Sequence, residues 1–283
     1  MAHIERFAPS PTGYLHLGHA FSALTAWDRA QAAGGTFLLR IEDIDHTRVR
    51  PEYEQAIYDD LHWLGLNWQA PVLRQSDNIA AYDDALNSLN GLGLTYACDC
   101  TRGIIKEALP RPIYGPDGMV YPGICRNKNL PYTKDTATRL NMSKAVEHLG
   151  GADQVNLLSF TDINNGKVEH FLNADKLLNN CGDIVLARRG ISTSYHLAVV
   201  VDDAAQNISH VTRGQDLFEA TQIHRILQAL LKLPTPFYRH HRLILDDDGK
   251  RLAKRDDSRA IRKYREEGAT PQDIREMVGL GNR

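Results

Sequence analysis

Two histidines bracket a glycine in the stretch Pro9-Ser10-Pro11-Thr12-Gly13-Tyr14-Leu15-His16-Leu17-Gly18-His19. At a helix N-terminus this grouping suits a phosphate. The helix end offers N–H groups and positive potential, Gly18 lets an oxygen approach, and the imidazoles of His16 and His19 donate hydrogen bonds. A second stretch, Asp248-Gly249-Lys250-Arg251-Leu252-Ala253-Lys254-Arg255, sets four cations within six residues beside a turn glycine, which is the make-up of a lid over a polyphosphate. Alone, a bare H-x-G-H is more often a plain helix start and a basic run more often a solvated surface. Their occurrence together, after the first and last expected strands, points to chemistry. Three of the four cysteines, Cys98, Cys100 and Cys125, fall within 28 residues of a proline-rich segment. Three thiolates are soft ligands for Zn²⁺, and small loops with little core are often stapled by metal. No histidine lies between Cys98 and Cys125, so a fourth ligand comes from Tyr121, a carboxylate such as Asp99 or Asp117, or water. Cys181 stands outside the pattern and is expected as a core thiol.

The elements that must position these residues follow from punctuation and periodicity. A strand is expected over residues 3–8, and Pro9, Pro11 and Gly13 then force a loop. Leu17, Ala20, Phe21, Leu24 and Trp27 share one face of a helix that Gly34-Gly35 closes. Residues 36–41 read as the next strand. Pro51 suits a first helical turn, with Tyr53, Ile57, Leu61 and Leu64 as the apolar stripe. A strand over 72–75 and a helix capped by Ser76 and stopped near Gly93 complete an alternation that implies a parallel sheet with crossovers. From Tyr96 the pattern breaks at prolines 110, 112, 116, 122 and 131, as an insertion would. Alternation resumes with strands at 184–188 and 208–213, a helix at 217–233 and a strand at 238–245. The expected fold is α/β: a Rossmann-type parallel-sheet nucleotide-binding domain with a zinc-containing insertion. Its expected divisions are 1–95, 96–183 (the insertion), 184–245 (the second half of the sheet domain) and 246–283 (the basic loop and a C-terminal helical segment).

Composition sets outer limits. With 283 residues and 42% hydrophobic content, the chain has length for about two domains and a full core. Four cysteines are too few for a disulfide scaffold, and the N-terminal residues lack the apolar core of a signal peptide. No run approaches the ~18 apolar residues of a membrane span. A cytoplasmic protein with no membrane partner is expected. The net charge of −2 advertises no general polyanion binder, but residues 239–265 carry ten Lys or Arg against five Asp, a local patch for a polyanion.

Taken together, the PSPTG-x-LHLGH and KRLAKR loops resemble the HIGH and KMSKS signatures of class I aminoacyl-tRNA synthetases. Arg6-Phe7-Ala8-Pro9-Ser10-Pro11-Thr12-Gly13, Arg40-Ile41-Glu42-Asp43-Ile44-Asp45, Tyr195-His196-Leu197-Ala198 with Val201-Asp202-Asp203, and His210-Val211-Thr212-Arg213-Gly214 are similar to the catalytic domain of glutamyl-tRNA synthetases. The resemblance runs from Arg6 to Arg255. Only 28 residues follow, so no anticodon-binding domain is expected, and the chain resembles the glutamyl-queuosine tRNA(Asp) synthetases. That resemblance implies ATP-dependent activation of L-glutamate as an adenylate, with Mg²⁺, and transfer to the queuosine base of tRNA(Asp). It assigns Arg6 and Arg213 to the glutamate carboxylates, Glu42 to the ammonium, Ala8 and Ser10 to the lining loop, and Tyr195 to a hydrogen bond with the substrate. His16, Gly18, His19, Arg251, Leu252 and Lys254 bind ATP on this reading, with His16, His19 and Lys254 catalytic. It also implies one structural zinc on Cys98, Cys100, Tyr121 and Cys125, and a monomer is expected. Two positions depart from the family pattern. Ala253 replaces a loop serine, and Val199 stands where full-length glutamyl enzymes often carry Asn, which implies weaker glutamate binding. The alternatives are a minimal glutamyl-tRNA synthetase charging the 3′ end of tRNA(Glu), and a non-catalytic tRNA-binding paralogue.

Overall fold

The structure is a computed structural model that describes residues 2–245 and 260–281. In chain order its principal elements are β1 (Ile4–Phe7), α1 (Leu17–Ala32), β2 (Thr36–Ile41), α2 (Pro51–Trp63), β3 (Leu73–Arg74), α3 (Ile79–Gly91), β4 (Thr95–Cys98) and α4 (Arg102–Glu107). There follow β5 (Tyr114–Gly115), β6 (Gly118–Met119), β7 (Ala137–Leu140), α5 (Met142–His148), α6 (Ala152–Val155), β8 (Ser159–Asp162), β9 (Val168–Phe171) and α7 (Ala174–Lys176). The last are β10 (Val185–Ala187), α8 (Tyr195–Ala205), β11 (His210–Gly214), α9 (Ala220–Leu230), β12 (Phe237–His241), α10 (Ile261–Glu266) and α11 (Pro271–Met277).

These residues form two compact units. The first comprises 2–77, 207–216, 236–245 and 260–281. Its strands run parallel in the order β3-β2-β1-β11-β12, the Rossmann pattern of two halves meeting at β1. Helix α1 lays Ala20, Ala23, Ala26 and Ala30 on the sheet with Phe21 and Leu24 between them; the small side chains bring the helix axis close. Phe37, Leu39 and Ile41 of β2 and Ile57 and Leu61 of α2 extend the same core. Pro51 opens α2, as its spacing predicted. Charged residues are buried with it, Glu5 among them. Glu5, fully buried on β1, accepts hydrogen bonds from Arg29 Nε at 3.3 Å and Thr212 Oγ1 at 2.9 Å, which offsets the cost of its burial.

The second unit comprises 78–206 and 217–235. It carries the antiparallel sheet β10-β7-β4, the two-residue pair β5-β6 and the hairpin β8-β9. Helices α3 and α8 are joined through Asp202, fully buried, which accepts from Asn78 Nδ2 at 2.9 Å and Tyr82 Oη at 2.8 Å.

Two sequence expectations are corrected. The strand expected at 184–188 forms as β10, but it pairs antiparallel with β7 instead of joining the parallel sheet. A short apolar run cannot report its partner strand, because partner choice is a long-range matter. Ser76 does not cap α3. Its N–H and hydroxyl both donate to Asp43, at 2.8 and 2.6 Å, and the cap position falls to Asn78.

Candidate active site and metal centre

The two histidines build the cap of α1. His16 Nδ1 accepts the Gly18 N–H and His19 Nδ1 accepts the His16 N–H, each at 3.1 Å. With both Nδ1 atoms accepting, each neutral ring carries its proton on Nε2. The rings lie 3.8 Å apart between centroids. A Cβ at position 18 would stand 3.0 Å from His16 Cε1, so the glycine is what lets that ring fold over the first turn. The result is a helix N-terminus flanked by two Nε2–H donors, an arrangement suited to an oxyanion.

At the carboxyl edge of the same sheet, three charges foreseen from sequence are buried: Arg6 at 5%, Glu42 at 9% and Arg213 at 5% exposure. Arg6 and Arg213 are the penultimate residues of their strands and Glu42 is the first past β2, where open parallel sheets place their ligands. Two of them, Glu42 and Arg213, are set by neighbours that sequence reading passed over. Arg40, wholly buried two residues before Glu42 and so on the same strand face, donates to Glu42 Oε1 at 3.2 Å. His240 stands opposite Arg213 in the β11–β12 register, accepts from its Nε at 3.2 Å, and must therefore be unprotonated at Nε2. The Glu42 N–H donates to the Pro9 carbonyl at 3.0 Å, pinning the loop that holds Ala8 and Ser10. Arg251, Leu252, Ala253 and Lys254 lie outside the described residues.

Tyr195 belongs to the second unit, as the first residue of α8. Its ring stands edge-on to His196 and His224, at 5.3 and 5.6 Å between centroids. Val199 lies one turn on and is 2% exposed.

The second unit also gathers the three thiols. Their sulfur atoms all lie within 4.8 Å of one another, with Cys100 and Cys125 at 3.4 Å. Tyr121 Oη stands 3.4 Å from both Cys98 Sγ and Cys100 Sγ. A tetrahedral ion with bonds of about 2.3 Å to sulfur and about 2.0 Å to oxygen has S···O edges of about 3.5 Å and S···S edges of about 3.8 Å. The three thiols lie close enough together to share such an ion, and the phenol stands at an S···O spacing of the same size. Asp99 is the nearer carboxylate, accepting from Cys125 Sγ at 3.2 Å, whereas Asp117 turns to His196 instead. Burial acts to raise the Cys98 thiol, but hydrogen bonds from Tyr121 and Arg139 outweigh it and hold the thiol below its ordinary value. Cys125 is pushed up to about 11, chiefly by burial, and burial likewise raises the Tyr121 phenol. Cys181 is buried, as expected of a core thiol, and burial lifts it to about 12.

A polar hub next to the thiols carried no sequence signal. Asp183, 1% exposed, accepts from Tyr96 Oη at 2.5 Å, Arg126 Nε at 2.5 Å, Arg126 Nη2 at 3.0 Å and the Met142 N–H at 2.9 Å. Arg126 directly follows Cys125, so the hub ties the thiol loop to β4 and α5.

A parallel sheet with buried cations and a carboxylate at its edge, beside a histidine-capped helix, is an arrangement suited to a small charged ligand next to an oxyanion. The family model for the catalytic domain of class I tRNA synthetases (E and Q) matches residues 4–281, and the chain belongs to that family. Over 288 residues, covering 98% of this chain and all of the relative, it is 54% identical to the Glutamyl-Q tRNA(Asp) synthetase of Rhodobacter capsulatus. It is 40% identical to the protein of that name from Nocardia farcinica, covering 95% of this chain and 81% of the relative. Among solved structures, a glutamate tRNA ligase from Elizabethkingia meningosepticum in complex with its amino acid superposes with a TM-score of 0.75 at 26% identity. The match covers 99% of this chain and 61% of that longer one. Among the described residues, no helix is long and apolar enough to cross a membrane.

Proposed function

We propose that this class I synthetase activates L-glutamate with ATP and transfers it to the queuosine base of tRNA(Asp). The observation that carries the reading is the set of three buried charges at one sheet edge. Free glutamate has two carboxylates and one ammonium, and Arg6, Arg213 and Glu42 supply the complementary count. Arginine's planar fork matches a carboxylate bidentately. In the first step the glutamate α-carboxylate attacks the α-phosphate of ATP, releasing pyrophosphate and leaving glutamyl-adenylate. Such a displacement needs positioning and charge stabilisation, and the Nε2–H donors of His16 and His19 answer that need beside the α1 N-terminus, with Gly18 admitting the phosphate. Lys254, Arg251 and Leu252 complete the nucleotide site on the family pattern, and Tyr195 hydrogen-bonds the substrate. The names of the two relatives support queuosine-bearing tRNA(Asp) as the acceptor. The test is incubation with ATP, Mg²⁺ and labelled glutamate, followed by nuclease digestion and mass analysis. An alkali-labile glutamyl ester on queuosine is expected. Label on the 3′ adenosine of tRNA(Glu), with queuosine-bearing tRNA(Asp) untouched, would overturn the reading in favour of a minimal glutamyl-tRNA synthetase.

Cys98, Cys100, Tyr121 and Cys125 would hold one zinc ion, whose chemistry there is structural: it would cross-link a loop with little apolar core. Elemental analysis of protein purified without chelators should give about one zinc per chain, and Cys100→Ser should lower that content while leaving glutamate-dependent ATP–pyrophosphate exchange near normal. Zinc-free wild-type protein would remove this assignment.

A further inference from the structure

Ser194 is the N-cap residue of α8, yet its hydroxyl makes no cap hydrogen bond. Serine is favoured at that position because its oxygen accepts an N–H of the first turn. Here the residue is 3% exposed and Oγ has no hydrogen-bond partner among the described residues. A buried hydroxyl left in this state is costly, so its persistence points to a partner beyond the described residues. The same residue lines a cavity of about 180 Å³ together with Asp117, Arg188, Tyr195 and His196, over an apolar floor from Leu217 and Ala220.

The other walls say what kind of partner fits. Asp117 Oδ1 faces His196 Nε2 at 3.3 Å, and its Oδ2 accepts the Val185 N–H at 3.5 Å. His196 Nδ1 in turn meets His224 Nε2 at 3.2 Å, so the imidazole is held from both sides. An ionised carboxylate only accepts, which requires His196 to present its Nε2 proton to Asp117. Asp117 keeps lone pairs for further donors. A carboxylate that accepts two protons next to a hydroxyl that can give one is the complement of a vicinal diol, and it repels a bare phosphate or carboxylate. Arg188, an exposed residue of the lining, adds a cation that an RNA backbone phosphate can meet. The volume accommodates one five-membered ring.

We propose that this cavity is a subsite for a vicinal diol on a five-membered ring of the RNA substrate, with Asp117 accepting its hydroxyl protons, Ser194 hydrogen-bonded to it, and His196 and His224 holding Asp117 in place. The inference rests on the RNA-modifying reading above and extends it to residues of the second unit. Two rings supply such a diol, the cyclopentenediol of queuosine and the 3′-terminal ribose of any tRNA.

Binding of three RNAs distinguishes these sources: queuosine-bearing tRNA(Asp), the same tRNA with guanosine in place of queuosine, and queuosine-bearing tRNA(Asp) lacking its 3′-terminal nucleoside and ending in a phosphate. The wild-type protein should bind the first and third about equally and the second roughly 10-fold more weakly, the worth of a hydrogen bond to a charged group. Asp117→Asn and Ser194→Ala should each shrink that preference several-fold while leaving glutamate-dependent ATP–pyrophosphate exchange and zinc content unchanged. Weakening of the third RNA instead of the second would assign the subsite to the terminal ribose and overturn the queuosine assignment. A queuosine preference that survives in both variants, or exchange that falls together with it, would overturn the subsite itself. Diol discrimination by a wild-type protein that transfers no glutamate to tRNA(Asp) would sink the proposed function and leave the subsite standing.

Discussion

Arg213 and Asp183 are both buried charges, yet they stand in differently built surroundings: the first is the carboxylate partner in the proposed glutamate site, and the second is the centre of a hydrogen-bonded hub. Arg213 sits on a strand whose backbone is fixed by parallel ladders on both sides, in the unit that holds the large apolar cluster. Asp183 sits on a short connection before β10, where the apolar cluster around the thiols has five buried members, two of them cysteines. Where hydrogen-bonded sheet and aliphatic packing already fix the backbone, charged side chains are available for substrate. Where the core is thin, a charged hub and a set of thiols take over the cross-linking.

That contrast can be broken by substitution. Asp183→Ala leaves the Tyr96 hydroxyl and the Met142 N–H without their buried acceptor and the half-buried Arg126 without its partner, and it should cost about 1 to 3 kcal/mol. Hydrogen exchange should show the loss over β4, β7 and β10 while β1, β2 and β11 keep their protection; equal loss in both units would abolish the distinction. Arg213→Ala should instead lower glutamate-dependent exchange by about 10²-fold or more with a thermal midpoint close to wild type, since its partner His240 is neutral and stays buried without a stranded charge. His19→Ala removes both an oxyanion donor and half of the α1 cap, so exchange should fall about 10²-fold and stability by about 1 kcal/mol.

The smallest effect sharpens the comparison from the other side, because the first unit also has a charge that neither ligand nor hub explains. Asp60 on α2 is 1% exposed, neither carboxylate oxygen has a hydrogen bond among the described residues, and its nearest cation is Arg265 at 3.8 Å. Burial raises its carboxyl to about 6, against an ordinary 3.8. A raised carboxyl binds its proton more tightly in the folded chain than in the unfolded one. The penalty is therefore full above pH 6 and relieved as the pH falls through 6 toward 4. Asp60→Asn should stabilise the protein by about 1 to 3 kcal/mol at pH 7.5, with the gain vanishing near pH 4. A gain that persists unchanged at pH 4 would mean that the carboxylate charge is not its source.

Much of the first unit was legible because its signals are local. The strand at Thr36–Ile41, the proline start of α2 and the glycine between two histidines are read from neighbours a few residues apart, and the structure places them as read. Arg6, Glu42 and Arg213 were singled out through the family resemblance, and the structure buries all three at the ends of neighbouring strands. The thiol grouping was legible because cysteine is rare and its spacing short. Arg40 was missed although its signal was present: it is two residues from Glu42 on a strand, hence on the same face.

The sequence by itself determined many of the local elements and their ends, since periodicity, caps and turn residues act over a few positions. Tertiary structure alone decided the partners. It paired β10 with β7, turned Ser76 from an expected cap into a hydrogen-bond donor to Asp43, gathered Tyr96, Arg126 and Met142 on Asp183, and set Ser194 and Asp117 on the wall of one cavity. The physical reason is that these contacts join positions as much as 87 residues apart, as between Tyr96 and Asp183, and their energies depend on burial and geometry that exist only once the chain has closed on itself.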